Sequence, residues 1–131
     1  MWVTDPKKYD YWEKALQWDS AQQVRHLHDF LAAVEWWRLG RAHELVRTQP
    51  ADVTRRVALA KSAEGDLAVA YLPANNAVEI DLSTFPRPVA ARWFDPAHGR
   101  FIGEKQILPK AGASRFAPPA EGDWVLLLQT P

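Results

Sequence analysis

The sequence predicts an α+β fold in which N-terminal helices pack on a C-terminal antiparallel β-sandwich. Before about residue 48, apolar residues recur at helical spacing, and after it short alternating segments are separated by turn residues roughly every 8–12 positions. No helical pattern lies between these segments, which argues against a parallel sheet. We therefore expect residues 1–50 to form a helical segment and residues 51–131 to form the sandwich.

The first helix is predicted to begin at Thr4-Asp5-Pro6, where a capping side chain precedes a proline at the first helical position. Tyr9, Trp12 and Leu16 then recur at helical spacing. The Trp18-Asp19-Ser20 segment interrupts this pattern and is expected to separate the first helix from the second.

A second helix is predicted from about Ala21 to about Leu39, with Gly40 as its stop signal. Ser20 and Gln23 have the spacing of a capping box, in which each side chain covers a free backbone N–H group of the other residue. One face of this helix carries an apolar stripe, which we expect to be buried, made of Val24, Leu27, Phe30, Leu31 and Val34.

The second half of the chain predicts seven short strands. Val78, Ile80 and Leu82 alternate with acidic residues, which is the pattern of a half-buried strand. The last strand is apolar on both faces from Trp124 to Leu128, so we expect it to be covered on both sides. The predicted strands are Arg55–Lys61, Asp66–Leu72, Ala77–Leu82, Val89–Phe94, Arg100–Gln106, a short piece near Arg115, and Asp123–Gln129.

The composition excludes several classes of partner and site. Lysine plus arginine is 16 and aspartate plus glutamate is 16, so no basic excess points to nucleic acid or to a membrane surface. Cysteine is absent, which removes disulfides, thiolate nucleophiles and cysteine-based zinc sites. The N-terminal residues lack the apolar run of a signal peptide, and no stretch is apolar enough to span a bilayer. The cellular location therefore stays open.

The titratable residues predict no catalytic residue, cofactor site or metal site. His26 and His28 are two positions apart on a helix, so they point in different directions and do not share a metal. Glu79 and Asp81 share the polar face of one strand, and we expect them to form a solvated surface. The nucleophile-elbow, phosphate-loop and dinucleotide-binding motifs are missing.

Seven tryptophans in 131 residues make the aromatic side chains the main candidates for binding. Trp36 falls nearly opposite the apolar stripe of the second helix, and Trp37 falls on its flank. Trp36 either packs on the β domain, faces a missing domain or stacks on a sugar. Trp93 is expected first in the core, because Val89 and Ala91 share its strand face. Trp36, Trp37 and Trp93 are the candidate ligand-binding residues.

Four segments of the second half share their pattern with a known family. They are Ala70-Tyr71-Leu72-Pro73, Val78-Glu79-Ile80-Asp81-Leu82, Ala91-Arg92-Trp93-Phe94-Asp95-Pro96 with Gly99, and Pro118-Pro119 with Asp123-Trp124-Val125-Leu126. On these residues, the stretch from about Val57 to the end resembles the "putative collagen-binding domain" family. The helical half is similar to the stretch that precedes this module, at Gln22-Gln23, Leu27, Leu31 and Trp36-Trp37-Arg38-Leu39.

The resemblance implies a β-sandwich that follows a barrel-type glycoside hydrolase domain, with relatives similar to apiose-releasing enzymes of pectin breakdown. The catalytic acids of the family belong to the barrel, so no catalytic residue is carried over to this chain. In those proteins the helices close the end of the barrel, and relatives are often exported. The Asp95-Pro96 pair and Gly99 form a tight turn in the family, which is a structural role.

These observations predict that the chain is not itself an enzyme. We expect a non-catalytic accessory module associated with carbohydrate-active enzymes. Its partner would be a catalytic barrel that it stabilises or orients, or a polysaccharide that it binds. Two alternatives stay open, a homodimerising protein-interaction module and a small self-standing glycoside hydrolase.

Overall fold

Two antiparallel sheets dominate the computed structural model, which describes residues 12–109 and 111–131. The strands are β1 Leu39–Arg41, β2 Ala58–Ser62, β3 Leu67–Leu72, β4 Val78–Asp81, β5 Val89–Asp95, β6 Arg100–Leu108, β7 Ala113–Phe116 and β8 Trp124–Gln129. Six of them form one sheet in the order β1-β2-β3-β8-β5-β6, and β4 pairs with β7 in a second sheet. The prediction of a β-rich antiparallel fold with two sheets is confirmed.

The two sheets enclose the larger hydrophobic core, which we call the inter-sheet core. β8 contributes Leu126 and Leu128 to it, and the opposing small sheet contributes Ile80 and Phe116. Leu126, Leu128 and Ile80 have no exposed surface. Because side chains alternate along a strand, this core takes every second residue of β8.

The other residues of β8 face a helix, α2, which spans Asp19–Ala33. Phe30 of α2 lies against Phe94 of β5 with ring centroids 4.6 Å apart. Val125 and Leu127 of β8 belong to this second cluster, which we call the helix-side core. The strand is therefore covered on both sides, as its apolar sequence predicts.

The helices depart from the predicted boundaries. A short helix, α1, spans Trp12–Ala15 and has no buried residue. The start predicted at Thr4-Asp5-Pro6, with Tyr9, lies outside the described residues. The capping box is wrong, since α2 has Trp18 at its N-cap and no side-chain cap hydrogen bond. No helix in the two described ranges is long and apolar enough to cross a membrane.

The predicted end of the second helix at Leu39 is also wrong. α2 stops at Ala33, and Glu35 then adopts a left-handed conformation with φ of 52°. A single 3-10 turn at Trp36–Arg38 follows and leads directly into β1. β1 pairs with β2, so the sheet takes residues that the helical periodicity assigns to the helix.

The sequence Asp95-Pro96-Ala97-His98-Gly99 forms the turn between β5 and β6. The Asp95 carboxylate accepts hydrogen bonds from the backbone N–H groups of Ala97 and His98, and the N–H of Gly99 donates to the carbonyl of Asp95. Gly99 has φ of 65°, and a Cβ atom there would lie 2.5 Å from Cδ2 of His26. The glycine is therefore needed both for the turn and for its contact with α2.

Candidate functional site

Exposed large apolar side chains are concentrated in the helical part of the chain. Of ten such residues, seven lie between residues 12 and 37, and only Val53, Tyr71 and Ile107 lie elsewhere in the described chain. We call the seven the N-terminal apolar set: Trp12, Leu16, Trp18, Val24, Leu27, Trp36 and Trp37. These residues lie before, on and after α2, and exposed apolar side chains in such number are typical of a protein that has an interaction surface.

An apolar groove of about 820 Å³ lies between α2 and the outer face of the six-stranded sheet. Val24 and Leu27 line it from the helix, and Ala60, Val69 and Val125 line it from the sheet. We call it the α2 groove.

The groove exists because α2 contacts the sheet closely only through its C-terminal half. Phe30 and Val34 are buried, whereas Val24 is 65% exposed and Leu27 is 48% exposed. The expectation that the whole apolar stripe is buried is therefore wrong for Val24 and Leu27.

A minority of the residues that line the α2 groove are polar. The hydroxyl of Tyr71 donates to the carboxylate of Asp123 across 3.1 Å, and Arg41 and His43 also line the groove. Burial and this hydrogen bond both raise the pKa of Tyr71. With few polar groups and mostly aliphatic walls, the groove suits an apolar segment of a protein better than a sugar.

Trp36 and Trp37 stand on the 3-10 turn between α2 and β1. They are 56% and 63% exposed. The sequence places Trp36 on the second helix opposite its apolar stripe, whereas α2 ends at Ala33, so its exposure arises from the turn and not from a helix face. The reading in which Trp36 packs on the β domain is not supported by this exposure. Both rings therefore are available for contact with a partner or a ligand.

The turn that carries both tryptophans is anchored by Arg38. Its guanidinium donates to Glu35 at 2.9 Å, to Glu64 at 3.1 Å and to Asp66 at 2.6 Å. Ser62 also donates its hydroxyl to Asp66, at 2.7 Å. The hydrogen bond from Arg38, followed by that from Ser62, holds the pKa of Asp66 below its usual range. The ion pairs fasten the turn to the connection between β2 and β3.

Trp93 lies in a different environment from the other two candidates. It is half-buried on β5, packs against the inter-sheet core and meets the Trp124 ring edge-on at a centroid distance of 6.4 Å. The structure therefore does not bring Trp93 together with Trp36 and Trp37. Its assignment as a ligand-binding residue stays a prediction.

The titratable residues singled out by sequence have structural partners. Nδ1 of His26 lies 3.3 Å from the carbonyl oxygen of Pro96. Asp81 is buried and accepts hydrogen bonds from Ser83 and Arg47, so the expectation that it lies on a solvated face is wrong. The Ser83 hydroxyl first, and then Arg47, lower the pKa of Asp81 to about 2. Within residues 12–109 and 111–131, no group of three or more acidic or histidine side chains is placed to hold a metal ion.

A family model described as "Putative collagen-binding domain of a collagenase" matches residues 42–129. The chain belongs to this family. The match begins at Ala42, directly after β1 and earlier than the start near Val57 that the sequence motifs suggest. Among curated proteins, no match was found.

Two solved structures share the fold. A "Glycoside hydrolase" matches with a TM-score of 0.76 and 17% identity, over 92% of this chain and 27% of that chain. A glycoside hydrolase family 5 protein from Bacteroides vulgatus ATCC 8482 matches with a TM-score of 0.80 and 17% identity, over 96% of this chain and 28% of that chain. The chain thus spans little more than a quarter of the length of either protein.

The sequence did not indicate the α2 groove or the Arg38 ion-pair cluster. Arg38 reaches Asp66 across 28 positions of the chain, and no local pattern reports such a contact. The groove depends on the angle at which α2 leaves the sheet, and hydrophobic periodicity does not predict that angle. The sequence did contain a signal for Trp36, since this residue lies off the apolar stripe of the predicted second helix.

Proposed function

We propose that this chain is a non-catalytic accessory module of a carbohydrate-active enzyme and that it packs on the catalytic domain of that enzyme. The contact surface is the N-terminal apolar set together with the α2 groove. The division into a helical segment at 1–50 and a sandwich at 51–131 is part of this proposal, with β1 as the strand that the first segment gives to the sheet.

The observation that carries the proposal is the uneven exposure of apolar side chains. Trp12, Trp37 and Val24 are 69%, 63% and 65% exposed, whereas Tyr71 and Ile107 are the only exposed large apolar residues on the strands β1 to β8. A buried aromatic residue removes about 150–250 Å² from water, so covering these tryptophans would stabilise a complex strongly. A module that functions alone has no reason to keep so many of them in contact with water.

The length of the matched proteins supports a catalytic domain as the occupant. This chain accounts for 27% and 28% of the two glycoside hydrolase chains whose fold it shares. The remaining three-quarters of each chain lies outside the match. A large domain beside the module supports the choice of partner, and the exposed apolar residues give it a surface to bind.

The carboxylates of Glu35, Glu64 and Asp66 come together on the guanidinium of Arg38. Their role there is structural, which favours a non-catalytic module. Glycoside hydrolases place two carboxyl groups about 5–9.5 Å apart across the scissile bond. The α2 groove is lined by one described acid, Asp123, whose carboxylate is already hydrogen-bonded to Tyr71. Asp66, Asp81 and Asp95 are each paired with a basic side chain in a structural role.

The test measures binding to a glycoside hydrolase catalytic domain encoded in the same genome. Isothermal titration calorimetry gives the Kd, and sedimentation analysis gives the oligomeric state of this chain alone. We expect a monomer that binds the catalytic domain, and we expect Leu27→Glu or Trp37→Glu to weaken binding at least tenfold. A charge placed in the contact surface would have to be desolvated without a partner.

Val53→Glu is the matched control, because Val53 is 74% exposed and lies outside the N-terminal apolar set. Equal losses for Leu27→Glu and Val53→Glu would argue against the proposed surface. A stable dimer that Leu27→Glu dissociates would instead favour the homodimerising module and overturn the proposal.

A second candidate function, glycan binding, rests on Trp36 and Trp37. Two exposed rings on an anchored turn, next to the charged groups of Glu35, Arg38 and Glu64, are suited to stack on a sugar and to bind its hydroxyl groups. Tryptophan fluorescence with acrylamide quenching is measured against plant and bacterial polysaccharides, and against collagen because the family description names a collagenase.

If the module binds glycans, a polysaccharide should protect the tryptophan rings from quenching by acrylamide. The double variant Trp36→Ala/Trp37→Ala should lose this protection. Trp18→Ala is the control, because Trp18 is also exposed, at 53%, and lies before α2. Protection that persists in the double variant would place any sugar site elsewhere.

A further inference from the structure

A second cavity, of about 310 Å³, lies beyond the C-terminal end of α2 on the outer face of the six-stranded sheet. Val34, Phe101, Ile107 and Leu127 give it an apolar wall, and Arg92 and Lys105 give it two positive charges. We call it the Arg92 cleft. Its lining shares no residue with the N-terminal apolar set, so this site does not depend on the proposed function.

Arg92 has no acceptor for its guanidinium within the described part of the chain. Its Nε is buried without a hydrogen-bond partner, and its charged end lies 4.5 Å from the centre of the Phe101 ring. Arg38 and Arg47, by contrast, both donate to carboxylates. A buried donor without a partner is rare in folded proteins and calls for an acceptor that the chain itself does not provide.

An irregularity in the sheet holds this arginine beside Lys105. Ala91 pairs with Gln106 and Trp93 pairs with Ile102, so β6 has two more residues than β5 at this point. Arg92 therefore faces residues 103–105 rather than a single partner, and Gly103 takes φ of 70° within the bulge. Bulges of this kind redirect side chains and recur next to binding sites.

We propose that the Arg92 cleft binds a free small molecule that carries a carboxylate on an apolar body. The carboxylate accepts hydrogen bonds from the Arg92 guanidinium and pairs with the ammonium group of Lys105. The apolar body lies against Val34, Ile107 and Leu127. A guanidinium is the side-chain group best matched to a carboxylate, because its N–H groups bind the two oxygens together.

None of the described side chains that line the cleft is acidic. The carboxylate that Arg92 and Lys105 would bind therefore has to come from outside the described lining.

The test uses 3-phenylpropionate and its uncharged analogue 3-phenylpropanamide, with hexanoate and hexanamide as a second pair. Methyl NMR spectra follow the signals of Val34, Ile107 and Leu127 during each titration. We expect at least one of the two acids to shift these three residues together and its neutral analogue to leave them unchanged. Which acid binds tells whether the apolar body is an aromatic ring or an alkyl chain.

Variants separate the cleft from general charge effects. Arg92→Met, which replaces the guanidinium with an apolar side chain, and Lys105→Gln are each expected to weaken acid binding at least tenfold. Lys105 is exposed on an edge strand, so its variant folds even if Arg92→Met does not. Arg115→Gln, an equal charge change on β7 of the other sheet, is expected to bind normally.

Three results would overturn the proposal. The neutral analogues could bind as well as the acids, neither acid could shift the cleft methyl groups, or Lys105→Gln could bind as tightly as Arg115→Gln.

Discussion

The two faces of the six-stranded sheet are covered to very different extents. The face toward the small sheet is closed, and Leu126, Leu128 and Ile80 there have no exposed surface. The face toward α2 is closed only near Phe30 and Val34, and the α2 groove opens beside them. The same strand, β8, supplies both faces with leucine and valine. The difference shows that an apolar strand face predicts that other residues cover it, but does not predict which residues these are.

The largest effect is expected in the inter-sheet core. Leu126→Ala should lower the free energy of unfolding by about 4 kcal/mol, because a fully buried leucine leaves a cavity that its neighbours only partly fill. Urea unfolding measures this loss. Leu27→Ala is the control from the open face, where Leu27 is 48% exposed, and should change stability by less than about 0.5 kcal/mol. Similar losses at both positions would mean that the α2 groove is closed in solution.

A smaller effect is expected where α2 meets the sheet. Phe30→Ala should cost about 3 kcal/mol, at the lower end for a buried phenylalanine, because α2 can detach instead of leaving an empty cavity. Hydrogen exchange should then show lost protection across Asp19–Ala33, while β8 keeps its protection. Uniform loss of protection over both sheets would contradict the view that the helix-side cover is a separable layer.

The contact between the β5–β6 turn and α2 can be measured at Gly99. Gly99→Ala should cost about 2 kcal/mol or more, since it adds left-handed strain of about 1–2 kcal/mol to a clash with the His26 ring. Gly103→Ala isolates the strain, because Gly103 has φ of 70° and no heavy atom within 4 Å of the added Cβ. In a His26→Ala background, the two glycine substitutions should cost the same. A persisting difference would mean that His26 does not lie against the turn.

The smallest effect is expected at Asp81 on β4, where a substitution should change how stability depends on acidic pH. The folded pKa of Asp81 is about 2, below the value of about 3.9 for an unfolded chain. A lowered folded pKa stabilises the fold above the unfolded pKa, and this stabilisation is lost as the pH falls from about 4 through about 2. Asp81→Asn should therefore flatten stability over that range, measured by urea unfolding at a series of pH values.

The strands were predictable because their signal is local. Alternation at Val78, Ile80 and Leu82 located β4, and the doubly apolar run from Trp124 to Leu128 correctly predicted a strand covered on both sides. Turn residues marked where each strand begins and ends, since their backbone preferences act over a few positions. The family resemblance drew on these same segments, and the family match at residues 42–129 confirms it.

The helical boundary was not predictable in the same way. Leu39 lies at helical spacing, yet it begins β1, because pairing with β2 and the ion pairs of Arg38 to Glu64 and Asp66 hold it in the sheet. The candidate site was predicted only in part. Trp36 drew attention because it lies off the apolar stripe of the predicted second helix. No sequence pattern indicated the α2 groove or the Arg92 cleft.

The sequence by itself determined the antiparallel strands, their turns and the apolar faces, because the physical causes of these features act between near neighbours in the chain. Only the tertiary structure decided which apolar residues remain in water. It set the angle of α2, left Val24 and Leu27 uncovered, and placed Arg92 beside Lys105 without an acid. The exposure of a side chain depends on the residues that pack against it, and those residues are distant in the sequence.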